Sequence, residues 1–333
     1  MARQHVIRSV GRCLPGRAPA AILCRIRAHE VRQVTRPSVD VSILIPCYNQ
    51  AAYLGDAIRS IEPGSHAIEV IVIDDGSTDG SSDVAASFVG VGCIRQRNQG
   101  LAAARNAGLD RATGRYVIFL DADDRLLPGA VERGARALDS HPACVMAFGR
   151  CVMMGPDGRH WPTSNLPRID RDHHAALLRR NVIWMPAAAI FRREALIAVG
   201  GVAAGFDAAA DYDLYLRITR RWLVHDHAEF VAAYRRHAGN MSRDASRMLR
   251  ETLVVMRRHV PGDAALLEAW QQGCDRWRGF YGTQLVEEIR AHVRRREAIA
   301  AARKVMTLAC WHPAGLIREI TKKTRLVARR LTA

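Results

Sequence analysis

The sequence predicts an α/β fold in which a mostly parallel, Rossmann-like sheet is flanked by helices and followed by a helical C-terminal extension. Three features carry this expectation. Short runs rich in Val and Ile alternate with helical patterns over residues 41–120. Acidic residues follow directly on two of those runs, at Asp74-Asp75 and at Asp121-Ala122-Asp123-Asp124. Beyond residue 243 only helical spacing of Leu, Val and Trp remains. Strand, helix, strand, helix, strand is the order that builds a doubly wound sheet.

The first strand is Val41–Pro46, apolar at nearly every position, as in a strand buried on both faces. Tyr53, Leu54, Ala57, Ile58 and Ile61 then recur at helical spacing, and Pro63-Gly64-Ser65 ends that helix. Ile68–Ile73 is the second buried strand. A helix at about 81–88 and a short strand near 92–95 precede the Ala-rich helix 100–112, and Tyr116–Leu120 is the next strand. From 128 to 240 the pattern is mixed. It gives a helix near 128–139, a strand near 143–149, a loop holding Pro156, Gly158, Pro162 and Pro167, apolar pieces at 187–191 and 228–234, and a helix over 211–221. The expected divisions are a basic arm over 1–37, the catalytic body over 38–242 and the helical extension over 243–333, broken near Pro261-Gly262 and Pro313.

Composition excludes several classes. The 333 residues are 49% hydrophobic and 25% charged, ordinary globular values. No apolar run approaches the ~20 residues of a membrane-spanning helix. The eight cysteines form no Cys-x-x-Cys pair, which fits a reduced, cytoplasmic setting. The net charge of +16 is concentrated at the ends: residues 1–37 carry eight Arg against one Glu, and residues 290–333 carry twelve Lys and Arg against two Glu. The body between them is therefore close to neutral, which argues against a nucleic-acid reader. The ends suit an anionic membrane surface, with Ile22, Leu23, Leu316, Ile317, Leu326 and Val327 interleaved among the bases. In the N-terminal arm, arginines interrupt every candidate core of a secretory signal.

Carboxylates at the carboxyl ends of parallel strands can accept hydrogen bonds from a base or ribose, or hold a hard divalent cation. No Gly-x-Gly-x-x-Gly after a strand, phosphate-binding Gly-x4-Gly-Lys loop, His-Glu-x-x-His or Gly-x-Ser-x-Gly competes with them.

Five ordered stretches together resemble family 2 glycosyltransferases: Val41–Ile61, Asp74–Asp79, Asn98–Gly108, Phe119–Asp124 and Asp211-Tyr-Asp213-Leu-Tyr-Leu-Arg217. The resemblance spans about 41–242. It implies a GT-A fold, a nucleotide-sugar donor (a uridine diphosphate-sugar first), an inverting displacement onto a glycan or lipid-linked hydroxyl, and Mn²⁺ or Mg²⁺. Carried over, Pro46, Tyr48 and Asn49 line the nucleotide pocket, and Asp75 with Asp74 binds the uracil or ribose. Arg105 is a basic contact to the nucleotide, Asp121 lies near the ribose, and Asp123 and His237 hold the metal. Asp211 is the base, Asp213 a lesser candidate, and Trp184 a wall of the acceptor pocket. Two positions depart from the family pattern: Ala210 stands where Glu usually precedes the catalytic Asp, and Val202 where Phe is typical. Ala210 is the feature behind the rival reading, a catalytically inactive GT-A-like scaffold at a membrane surface.

Overall fold

In the computed structural model, the described residues are 39–163, 166–205, 207–317 and 321. The arm at 1–37, and with it Ile22 and Leu23, lies outside them, as do Leu326 and Val327 near the other end.

One sheet organises the chain. Strands β1 (Val41–Cys47), β2 (Ile68–Asp74), β3 (Val91–Arg95) and β4 (Tyr116–Phe119) pair in parallel in the order β3-β2-β1-β4. β1 is buried along its whole length, which accounts for its unbroken apolar run. Pro46 is tolerated in this central strand because its missing N–H faces the β4 side. Leu44 O there accepts the last ladder bond, from Leu120 N, and β4 has already ended. Helices α1 (Ala51–Arg59), α2 (Ser81–Ala86) and α3 (Leu101–Arg111) make the crossovers.

Past β4 the sheet becomes mixed. It continues through β8 (Ala189–Arg192), β6 (Cys144–Met154) and β9 (Leu223–Arg235) to the two-residue β5 (Arg125–Leu126), while β7 (His160–Trp161) hangs on β6. β8 is antiparallel to both β4 and β6, and β6 is parallel to β9. The parallel reading from sequence thus describes the first half of the sheet. β6 and β9 both run longer than their apolar pieces suggest. Their register shifts at three places, which breaks the alternation of side chains, and a buried pair sits inside them. Arg150 donates from both terminal nitrogens to Asp226, each bond 2.8 Å. Charges there disguise strands as loop.

Helix α4 (Ala130–Ser140) covers β6 and β9, and α7 (Ala210–Thr219) packs with α5 (His173–Arg179). α6 (Arg193–Ala198) follows β8 directly. The expected boundary at 242/243 falls within a short 3₁₀ turn, Met241–Arg243. Beyond it, α8 (Ala245–Arg258), α9 (Ala264–Arg294) and α10 (Ala298–Trp311) pack on the body rather than trailing from it. His259, capping α8, reaches Asp213 of α7 at 2.9 Å, and Glu251 accepts a bond from Ala208 N at 2.8 Å. Trp277 of α9 lies edge-on to Tyr212 of α7, ring centroids 5.8 Å apart. Among the described residues no helix is long and apolar enough to cross a membrane.

Gly273 explains how α9 comes so close. A Cβ built there would lie 1.8 Å from the carbonyl oxygen of Leu178, so the crossing admits no side chain. Because the obstacle is backbone, Gly273→Ala must push α9 off α5. We expect a loss of ~3 kcal/mol, at the upper end of overpacking costs, read by urea denaturation. A gain of stability, as expected for Gly→Ala in an unconstrained helix, would show that the two helices are not held this closely.

Candidate active site

The site lies where the parallel strands end. Beyond β2, Asp74 and Asp75 divide in role. Asp74 is fully buried, accepting from Ser77 N at 2.7 Å and from the Ser82 hydroxyl. Burial raises its carboxyl, but these bonds and the Arg95 charge outweigh that and hold it below the usual carboxylate range. The expectation that Asp74 touches a nucleotide is corrected: its side chain is spent on the turn. Asp75 accepts from Gln96 Nε2 (2.7 Å), Gln99 N (2.9 Å) and Gly100 N (2.9 Å). It thereby caps α3 from another element, since Gly100 offers no side chain. A carboxylate has about four acceptor positions, so one remains.

Tyr48 follows β1 with half its surface exposed. Asn49 has a left-handed backbone (φ 53°), and its Oδ1 accepts from Thr78 N at 2.8 Å, tying the ends of β1 and β2 together. Pro46 is buried under them.

Arg105 is placed otherwise than expected. On α3 it is only 3% exposed, and its Nη2 donates to Asp121 Oδ1 at 2.7 Å. It lies under the carboxylates instead of on the ligand side, and its charge acts on both Asp121 and Asp211. The expected contact of Arg105 with a nucleotide is thus replaced, in this structure, by an interior bond to Asp121. Asn106, the neighbour of Arg105, clamps the backbone of Val202, donating to its carbonyl and accepting from its N–H, both at 2.8 Å. Gly201 serves that clamp: its φ is +69°, and a Cβ there would strike Asn106 Oδ1 at 2.4 Å.

Asp211 stands in the first turn of α7 and is half-buried. Burial pushes its carboxyl up to about 6, against the lowering effect of Arg105. It lines a small cavity with Arg105, Val202, Pro186, Phe191 and Tyr215. Tyr215's buried hydroxyl has no protein partner. Trp184, two residues before Pro186, is 39% exposed. Asp213 faces elsewhere. It is 2% exposed and gripped by Arg217 Nε (2.7 Å) and His259 Nε2 (2.9 Å), and these bonds outweigh burial and lower its carboxyl. It is a structural anchor.

His237 Nε2 meets Asp123 Oδ2 at 2.9 Å, and Asn240 Nδ2 approaches the same oxygen at 3.3 Å. Burial and the charge of Asp121 raise the Asp123 carboxyl. Beneath them lies a network that sequence reasoning missed. Arg235 is buried; it donates from Nε to Asp123 O (2.8 Å) and from Nη2 to Asp56 Oδ2 (3.1 Å). Its backbone N–H donates to Asp124 Oδ1 at 2.8 Å. The Tyr53 ring lies 4.9 Å from this guanidinium and 4.8 Å from the His237 ring. The signal was Asp56, a charge three residues from Tyr53 on the otherwise apolar face of α1.

Among the described residues no group of three His, Cys, Asp or Glu side chains forms a closed metal cage. The Asp123 carboxylate and the His237 imidazole, adjacent at 2.9 Å, are nevertheless of the ligand types that suit a cation taking its remaining ligands from water and substrate phosphate.

Residues 42–200 match the family described as "Glycosyl transferase family 2". The chain is 35% identical over 124 residues to a putative teichuronic acid biosynthesis glycosyltransferase of Bacillus subtilis, covering 35% of this chain and 49% of that protein. It is 33% identical over 166 residues to an uncharacterized glycosyltransferase of Nostoc sp., covering 47% of this chain and 52% of that one. The chain thus spans about half the length of these relatives. Its fold is that of GT-A glycosyltransferases of known structure. Staphylococcus aureus TarS 1–349 in complex with UDP-GlcNAc aligns with TM-score 0.53 at 15% identity, covering 81% of this chain and 91% of that one. A Pyrobaculum calidifontis mannosyltransferase in complex with GDP-Man and Mn²⁺ gives 0.54 at 19%, covering 85% and 86%.

The raised Asp211 carboxyl has a consequence for stability. Its folded value of about 6 exceeds the reference 3.8, so the folded state binds the proton more tightly than the unfolded chain does. The ionised form therefore costs stability above pH 6, by up to ~3 kcal/mol, and that cost fades as pH falls towards 4. Asp211→Asn removes it. Differential scanning calorimetry should show the variant melting above the parent at pH 7.5, with the gap closing towards pH 4. A variant that melts lower at pH 7.5 would contradict the electrostatics described.

Proposed function

Because residues 42–200 match glycosyl transferase family 2, we propose that the protein is an inverting glycosyltransferase acting on a nucleotide diphosphate-sugar. The observation that carries this reading is the junction at Arg105, whose guanidinium bonds Asp121, acts by its charge on Asp211 and lines the same small cavity as Asp211. Relatives named as glycosyltransferases and a neighbour solved with UDP-GlcNAc support a uridine diphosphate-sugar as donor. The acceptor is a hydroxyl of a glycan or lipid-linked glycan, in polysaccharide or other glycoconjugate synthesis of the cell envelope.

On this reading the exposed Tyr48 ring stacks on the base. The remaining acceptor position of Asp75 takes an N–H of the base, and the second oxygen of Asp121 binds the ribose. Asp123 and His237 hold Mn²⁺ or Mg²⁺, which when bound neutralises charge on the departing diphosphate. Asp211 takes the acceptor's proton as the acceptor oxygen bonds to the anomeric carbon and the bond from that carbon to the diphosphate oxygen breaks. Attack opposite the leaving group inverts the configuration. Arg105 keeps Asp211 ionised near neutrality without touching substrate.

A base with a carboxyl at about 6 fixes the pH profile. kcat/KM for transfer should fall as pH drops below ~6, because the protonated carboxyl accepts nothing. Arg105→Gln removes a lowering charge and should move that limb to higher pH. Asp211→Asn should cut turnover by ~10²–10⁴-fold while UDP affinity stays near that of the parent. Full turnover in Asp211→Asn, measured by mass spectrometry of products from a panel of nucleotide sugars, would remove this base from the mechanism. Absence of transfer or donor hydrolysis by the parent across the whole panel would favour the scaffold reading.

The metal is tested separately. Titration calorimetry with UDP and Mn²⁺ should show binding that weakens strongly on chelation and in Asp123→Ala. Equal affinity with and without the cation would leave Asp123 and His237 a purely structural pair.

A further inference from the structure

Helix α10 is apolar on two sides, although it lies at the protein surface. Ala301 and Leu308 are buried towards the body, and Trp311 is half-buried under the Arg257 guanidinium, 4.7 Å from its ring. The opposite side presents Ile299, Ala302, Met306 and Cys310, recurring every three or four residues, so they form one stripe. Ile299 is 73% exposed and Met306 63%, and Ile317, in the helical turn that follows, is 64% exposed. A second apolar stripe, on the side of a helix turned away from the body, marks a contact surface.

The charge around the stripe identifies what covers it. Arg294 at the end of α9, Arg295 and Arg296 in the turn that follows and Arg303 on α10 are all exposed, and Val293, 58% exposed, adds apolar surface beside them. The acids nearby are engaged: Glu297 with His292 and Glu288 with Lys304. The sequence continues with six Lys and Arg against one Glu over residues 318–333. A second copy of this chain would bring like-charged rims together, and the arm at 1–37 carries the same sign. Nucleic acid would use the arginines but leave Ile299 and Met306 in water. An apolar strip rimmed with guanidinium groups matches acyl chains beneath anionic headgroups.

We propose that the outer face of α10, with the arginines at its start, is the contact surface through which the protein sits on an anionic lipid bilayer. The inference narrows the expected membrane contact to one folded face within the basic end at 290–333, and it does not depend on the reaction assigned to the cleft.

Flotation of the full chain tests it, using phosphatidylcholine vesicles with and without phosphatidylglycerol. The parent should float with the anionic vesicles and only weakly with the neutral ones, and should lose binding at high salt. The combined Ile299→Ser, Met306→Ser and Ile317→Ser variant should bind the anionic vesicles at least ~10-fold more weakly. The combined Arg294→Gln, Arg295→Gln and Arg303→Gln variant should lose ~100-fold, since each basic residue at such a surface contributes about 1 kcal/mol. The substituted side chains are exposed, so melting temperatures should not change; Met306→Ser alone gives the same reading if the triple variant does not fold. Removing residues 1–37 should leave most of the binding. Parent-like binding by the apolar variant, or equal binding to neutral vesicles, overturns the proposal. So does a parent dimer that the apolar variant alone converts to monomer without change in vesicle binding; that result would make a second copy the occupant.

Discussion

A single buried guanidinium sets the constraint that the site depends on. Arg105 cannot lose its proton, so a helix that carries it into the interior must meet carboxylates there. Asp121 supplies one at the end of β4, bonded at 2.7 Å, and Asp211 supplies another in the first turn of α7. The two acids come from segments about ninety residues apart, and the charge of Arg105 acts on both. α3 is in turn fixed at both ends of this arrangement. Asp75 caps its start, and Asn106 ties it to Val202, just upstream of α7. Sheet, α3 and α7 are therefore joined by polar contacts that a small displacement would leave unpaired.

A second anchor works from below the Asp123–His237 pair. Arg235 ends β9 and holds the backbone of Asp123 and Asp124, while its other nitrogen reaches Asp56 on α1. Tyr53 transmits the position of that guanidinium to the His237 ring. The loop after β4 is thereby fixed from both sides, by Arg105 through Asp121 and by Arg235 through Asp123 and Asp124. The carboxylates can then stay close together in spite of their mutual repulsion, which adds to burial in raising the carboxyls of Asp123 and Asp124.

Much of this was legible in the sequence, and the limits have physical causes. Strands buried on both faces announce themselves by continuous apolar runs, so β1, β2 and β4 could be placed within a residue or so. The second half of the sheet could not, because the bulges between β6 and β9 and the buried Arg150–Asp226 pair erase the pattern that identifies strands. Among the expected site residues, motif position gave Asp75, Asp121, Asp123, Asp211 and His237, which stand just after β2, just after β4, in the first turn of α7 and just after β9. It could not tell a carboxylate that faces a ligand from one consumed by its own turn, as Asp74 is, because that depends on Ser77 and Ser82 folding back. Nor could it show that Arg105 points inward or that Asp213 is held by Arg217 and His259. A sequence fixes the spacing of charges along a helix, whereas the partner that claims each charge comes from elsewhere in the chain.

The alanine at 210 is best understood through the same charge balance. It is fully buried, one residue before Asp211, at the start of α7. A glutamate there would bring a second negative charge next to a carboxyl that burial has already raised to about 6. Unless that glutamate found its own cation, it would raise Asp211 further and shift the base towards its protonated, inert form. With alanine, one guanidinium serves two carboxylates, Asp121 and Asp211, and Arg105 Nε is left buried without a partner. The departure from the family pattern therefore leaves the proposed base intact. It removes a competitor for the one buried positive charge that keeps Asp211 ionised.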